Sequence, residues 1–148
     1  MKYSKQKKHA YVEWISPEEM HQAVLSWISE LKFARDEQKF LNDLVKSYTL
    51  QLTDRQIFAE SREVVSGIAD AERALITLMK QVQSHENQLE IMVDDVDQPK
   101  MEKAYRDTHR DLIEAVDTYL TSYMKLKKQL FGMLTKVMKK EKQKRLLN

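Results

Sequence analysis

Cysteine is absent from this chain of 148 residues. The absence removes disulfide staples, thiolate metal ligands and thiol nucleophiles together, and it fits a reducing compartment. Glycine and proline are scarce as well, at two each. A β-rich fold needs many tight turns built from those residues, so their scarcity points to a few long helices. No apolar run reaches the roughly 18 residues of a membrane-spanning helix. Near the start, Lys2, Lys5, Lys7 and Lys8 precede only a short apolar stretch from Ala10 to Ile15, broken by Glu13. That is too short for a secretory signal, and a cytoplasmic protein is expected. A glycine-rich phosphate loop, a Gly-x-Ser-x-Gly nucleophile and a His/Asp-partnered serine are all missing. The expectation is a protein that is not an enzyme and carries no cofactor.

What the chain does have is periodicity. Met20, Val24, Trp27, Leu31, Ala34, Gln38, Leu41, Val45, Tyr48 and Leu52 form one ladder in alternating steps of four and three. A second runs Ile57, Ser61, Val64, Ile68, Ala71, Leu75, Leu78, Val82, His85, Leu89, Met92, and a third Leu112, Val116, Tyr119, Tyr123, Leu126, Leu130, Met133, Val137. Such steps place each ladder on one seam of a helix packed against other helices. Trp27, Leu75, Leu78 and Leu126 fall mid-ladder and are expected to be deeply buried.

The breaks between ladders carry helix signals. Ser16, Pro17 and Glu19 form a capping box with proline at the first helical position, and Ile15 and Met20 stand where a hydrophobic staple closes. This predicts a first helix from Pro17 to about Leu52. Thr53, Asp54 and Gln56 repeat the capping pattern and open a second helix, running to about Val93. Asp97 caps a third helix with Pro99 early in it, uninterrupted to the C-terminus. Short loops force successive helices to run antiparallel. The predicted fold is all-α: a long up-down-up three-helix bundle with coiled-coil-like packing over residues 16–138. A basic arm (1–15) precedes it and a basic helix end (139–148) follows. Position 138 falls opposite residue 54, so the helix end beyond it is expected to lose its neighbours.

Apolar residues exceed what the three seams need. Phe33 and Phe40 lie nearly opposite their ladder, and Met124, Phe131 and Met138 run beside the third. A three-helix core buries flanking positions too. The alternative is that this chain is part of a four- or six-helix oligomeric bundle, since so much bare apolar surface is uncommon on a monomer. The expectation drawn is a non-catalytic interaction or assembly module, self-associating as a homodimer through Phe33, Phe40, Met124, Phe131 and Met138, or docking another protein there.

Two further readings stand beside it. Folding the chain about its two loops brings His21, His85 and His109 to one level, with Glu18 three residues before His21. Imidazoles and a carboxylate can hold zinc or iron, and Glu-x-x-His is the spacing of di-iron bundles. Those bundles duplicate the motif, however, and only one copy occurs here. A polar layer that sets register is the plainer reading. The other reading concerns charge. The net charge of +2 conceals a body of −8 over residues 16–98 and a tail of +8 over residues 125–148. Lys139, Lys140, Lys142, Lys144 and Arg145 are candidate anion-binding residues for a lipid surface, nucleic acid or acidic protein. Equally, they complement the dipole of a solvated helix end. Aromatics do not interleave with them, so nucleic acid is the least expected partner.

Overall fold

A computed structural model describes residues 15–52, 58–94 and 99–147. Every secondary-structure element among the described residues is a helix. Helix α1 spans Pro17–Ser47, α2 Thr49–Leu52, α3 Phe58–Asp94 and α4 Pro99–Leu147. Residues 1–14 of the predicted 1–15 arm, the cap at Thr53, Asp54 and Gln56, Ile57 of the second ladder and the cap at Asp97 lie outside the described residues.

α1 starts as its sequence dictates. The Glu19 amide donates to Ser16 Oγ at 3.1 Å, and the Ser16 hydroxyl donates to the Glu19 carboxylate at 3.4 Å. Ile15 and Met20 are both buried, closing the staple. Arg106 of α4 donates to the Ile15 carbonyl at 2.6 Å and holds this entry in place. The far end departs from expectation: α1 stops at Ser47 rather than continuing to Leu52. Ser47 Oγ donates to the Asp43 carbonyl, and Thr49 Oγ1 to the carbonyls of Val45 and Lys46. These hydroxyls compete with the amides for the same acceptors, and the helix breaks at Tyr48 before the single turn of α2 resumes.

The chain divides into two compact units. The first takes α1 up to Phe33, α3 from Leu75 onward and α4 up to Tyr119; the second takes α1 from Ala34, α2, α3 up to Ala74 and α4 from Leu120. In the first unit Met20, Val24, Leu31, Leu75, Leu78, Val82, Leu89, Leu112 and Val116 are buried. In the second, Ala34, Leu41, Leu52, Val64, Ile68, Ala71, Tyr123, Leu130, Met133 and Val137 are. All of these belong to the predicted ladders, while Leu134, also buried, lies beside the third. Two of the four residues expected deepest, Leu75 and Leu78, are buried, whereas Trp27 and Leu126 stay half-exposed. Trp27 lies flat against a histidine ring, and Leu126 packs over Gly67. Ser61 is a polar ladder residue whose hydroxyl donates to the Leu52 carbonyl at 2.6 Å, tying α3 to α2. The tail packs further than the sequence suggested. Glu141 is half-buried and accepts a hydrogen bond from Gln51, so neighbours persist past Met138.

Candidate functional site

In the first unit, residues on α1, α3 and α4 meet in a histidine layer. His85 and His109 come from the α3 and α4 seams, each 1% exposed. His85 Nε2 and His109 Nδ1 are 2.9 Å apart and share one hydrogen. Trp27 stacks on the His109 ring, centroids 4.9 Å apart and planes 24° from parallel. Burial pushes the His85 imidazole down to about 4, partly offset by Gln88 beside it. Burial above all, with the neighbouring His85 and Arg106 adding to it, pushes His109 down to about 3. Both rings are therefore neutral at neutral pH, and one donates the shared hydrogen to the bare nitrogen of the other.

His21 stands apart from that pair and bonds Glu86 Oε1 at 3.0 Å. The structure thus draws His21 to the residue next to His85, while Glu18 of the Glu-x-x-His spacing stays exposed. A metal needs three or four convergent donors. Among the described residues, no three His, Cys, Asp or Glu side chains are placed to share one ion. An open groove of about 620 Å³ runs past His85, lined by Lys80, Ser84, Gln88, Thr108 and Asp111 among others. Its ammonium, carboxylate, amide and hydroxyl groups converge on no single ligand chemistry.

The second unit carries the candidate docking surface. Each helix residue advances by about 100°. Measured from the buried row Ala34, Gln38 and Leu41, Glu37 and Leu44 lie to one side of α1 and Asn42 to the other. Asn42 donates to Glu72 of α3. Glu37 accepts from the Tyr123 hydroxyl at 2.7 Å and from Lys127 Nζ at 3.0 Å, both on α4. The Lys127 ammonium also rests 5.6 Å from the Tyr123 ring centre. On α4, Met124, Phe131 and Met138 lie on the same side as Lys127. Leu126 lies on the opposite side, against Gly67 of α3. The Met124 row and Phe40 consequently border the same α1/α4 seam. Phe40 is 57% exposed, Met124 52%, Phe131 42% and Met138 53%.

Phe33, two helical turns before Phe40 on that side of α1, is 68% exposed at the end of the first unit's segment. On α3, the apolar Phe58 and Val65 fall instead on the side of Glu72. Apolar side chains outside the buried rows therefore border two seams. The α1/α4 strip also has charged edges that sequence reading missed. Asp36 and Asp43 are exposed on α1 just beyond Phe40, and Lys128 is exposed on α4 just beyond Met124 and Phe131. On the last turns of α4, Lys139, Lys142, Lys144 and Arg145 are exposed and Lys140 half-buried.

Compared with protein-family models, curated proteins and solved structures, the chain matches none.

Proposed function

We propose that this chain is a non-catalytic helical assembly module, cytoplasmic, which self-associates through the α1/α4 strip of its second unit. The observation that carries the reading is the exposure of Phe40, Met124, Phe131 and Met138 along one seam. Four large apolar side chains on adjacent helices form the kind of contiguous patch that marks an interface. The contact pattern within that unit favours the up-down-up arrangement. Asn42 meets Glu72 and Ser61 meets Leu52, a descending register; Glu37 meets Tyr123 and Gln51 meets Glu141, an ascending one. Two such surfaces in contact make a six-helix dimer. Lack of cysteine supports a reducing compartment, and no helix among the described residues is long and apolar enough to cross a membrane.

Sedimentation equilibrium tests this. The expected mass at micromolar concentration is twice the 17.6 kDa chain. Phe40→Glu with Phe131→Glu should return it to one chain while leaving the helical circular dichroism intact. A monomeric wild-type protein at high concentration would sink the reading.

The exposed cations on the last turns of α4 favour a second reading, contact with an anionic surface. Salt-sensitive retention on vesicles containing phosphatidylserine, abolished by Lys139→Glu with Lys142→Glu, would support it.

A further inference from the structure

We propose that the α1/α4 strip docks onto a second copy of itself in parallel, about a two-fold axis running along the helices. The acidic α1 edge of each copy then lies against the basic α4 edge of the other. The proposal rests on the self-association reading and adds its geometry.

A two-fold contact is self-complementary, with the same patch used on both sides. A strip between two helices admits two such operations. An axis across the helices lays α1 on α1 and α4 on α4. An axis along the helices exchanges the edges and keeps every residue at its own height.

Charge distinguishes the two. Asp36, 3.7 Å from Arg35 of its own helix, and Asp43 border the strip on α1, Lys128 borders it on α4, and all three are exposed. The crosswise axis sets carboxylates on carboxylates and ammonium groups on ammonium groups. The lengthwise axis sets Lys128 of each copy against the Asp36–Asp43 edge of the other.

Height agrees. Glu37 reaches both Tyr123 and Lys127, so three residues further on, Phe40 stands level with Lys128, between Met124 and Phe131. Lys128 is therefore level with the middle of the Asp36–Asp43 interval, and a lysine stem can reach either carboxylate. Phe40 and Phe131 close the dry centre between the two charged edges, the usual layout of an interface with an apolar middle and a polar rim. Like charges placed across such a rim select against the wrong orientation more strongly than matched ones add affinity.

The test is sedimentation equilibrium of the full chain and its charge variants across a salt series. Dimerisation should weaken as salt rises. Lys128→Glu should raise the dimer Kd by about ten-fold, because symmetry applies each altered contact twice. Asp36→Lys with Asp43→Lys should do the same, and combining all three substitutions should bring the Kd back toward wild type. All sites are exposed, and a melting curve close to wild type confirms that each variant is folded. A dimer indifferent to the single reversals, or tightened by salt, overturns the parallel arrangement and leaves self-association standing. A monomeric wild type overturns both.

Discussion

The two units are cut from the same long helices yet place their titratable side chains differently. The first draws them inward: His85 and His109 share a hydrogen in the interior, with Trp27 across one ring. The second buries the uncharged Gln38 and Ser61 and arranges charge around its exterior, with Glu37, Lys127 and Tyr123 joined near the surface and aspartates and lysines flanking an apolar strip. An interior polar pair sets register and couples stability to pH. An exterior one costs little and is free to select a partner.

The largest expected effect tests whether both units hold equally firm cores. Leu75→Ala in the first and Leu130→Ala in the second remove side chains 1% and 0% exposed. Each should cost about 2–5 kcal/mol in urea unfolding. A small loss at only one of them would mark that unit as the looser.

Acid should then separate the units. The histidine pair is held below its ordinary value of 6.5, to about 4 and about 3. The unfolded chain binds more protons across that interval, so the pair's contribution is intact above pH 6.5 and is lost as pH falls toward 4 and 3. The loss is on the order of a few kcal/mol. Amide hydrogen exchange at pH 7 and pH 5 should show protection falling at residues 78–92 and 105–119 before it falls at 61–71. Replacing both rings together, His85→Leu with His109→Phe, should flatten the difference. Uniform loss across both units would erase the contrast.

Smaller again is the outer cluster. Glu37→Gln weakens the ion pair to Lys127 but keeps a partner for Tyr123, and it should cost about 1 kcal/mol or less, shrinking further in salt. The glycines give the finest comparison. Gly132 faces open space, and Gly132→Ala should stabilise by about 0.5–1 kcal/mol, the helix preference for alanine. At Gly67 a new Cβ would stand 2.7 Å from Leu126 Cδ2, so that side chain must turn aside and the gain from Gly67→Ala should be smaller. Thermal melts of the two variants measure the difference.

Much of this was legible in the sequence because helical periodicity and capping are local. Ser16, Pro17 and Glu19 announced the start of α1, and steps of four and three picked out the buried rows. The meeting of His85 with His109 was legible too, since short loops leave little freedom in matching heights. What was not legible depends on competition or on handedness. The break at Tyr48 comes from Ser47 and Thr49 hydroxyls taking carbonyls that an unbroken helix would use. The shallow seat of Trp27 follows from its stacking on a ring that arrives from another helix. That Phe40 and Phe131 border one seam, while Phe58 borders another, follows only once Glu37 and Asn42 show which neighbour lies on which side of α1.

The shared hydrogen between His85 and His109 also ties the chemistry of the two rings together. When His85 Nε2 carries it, His109 Nδ1 is bare, so both neutral rings hold their protons on Nε2. When His109 Nδ1 carries it, both hold them on Nδ1. The rings form a two-position proton relay in which neither changes tautomer alone. The nitrogen-15 resonances of the two imidazoles should therefore report one common tautomer, both protons on Nε2 or both on Nδ1.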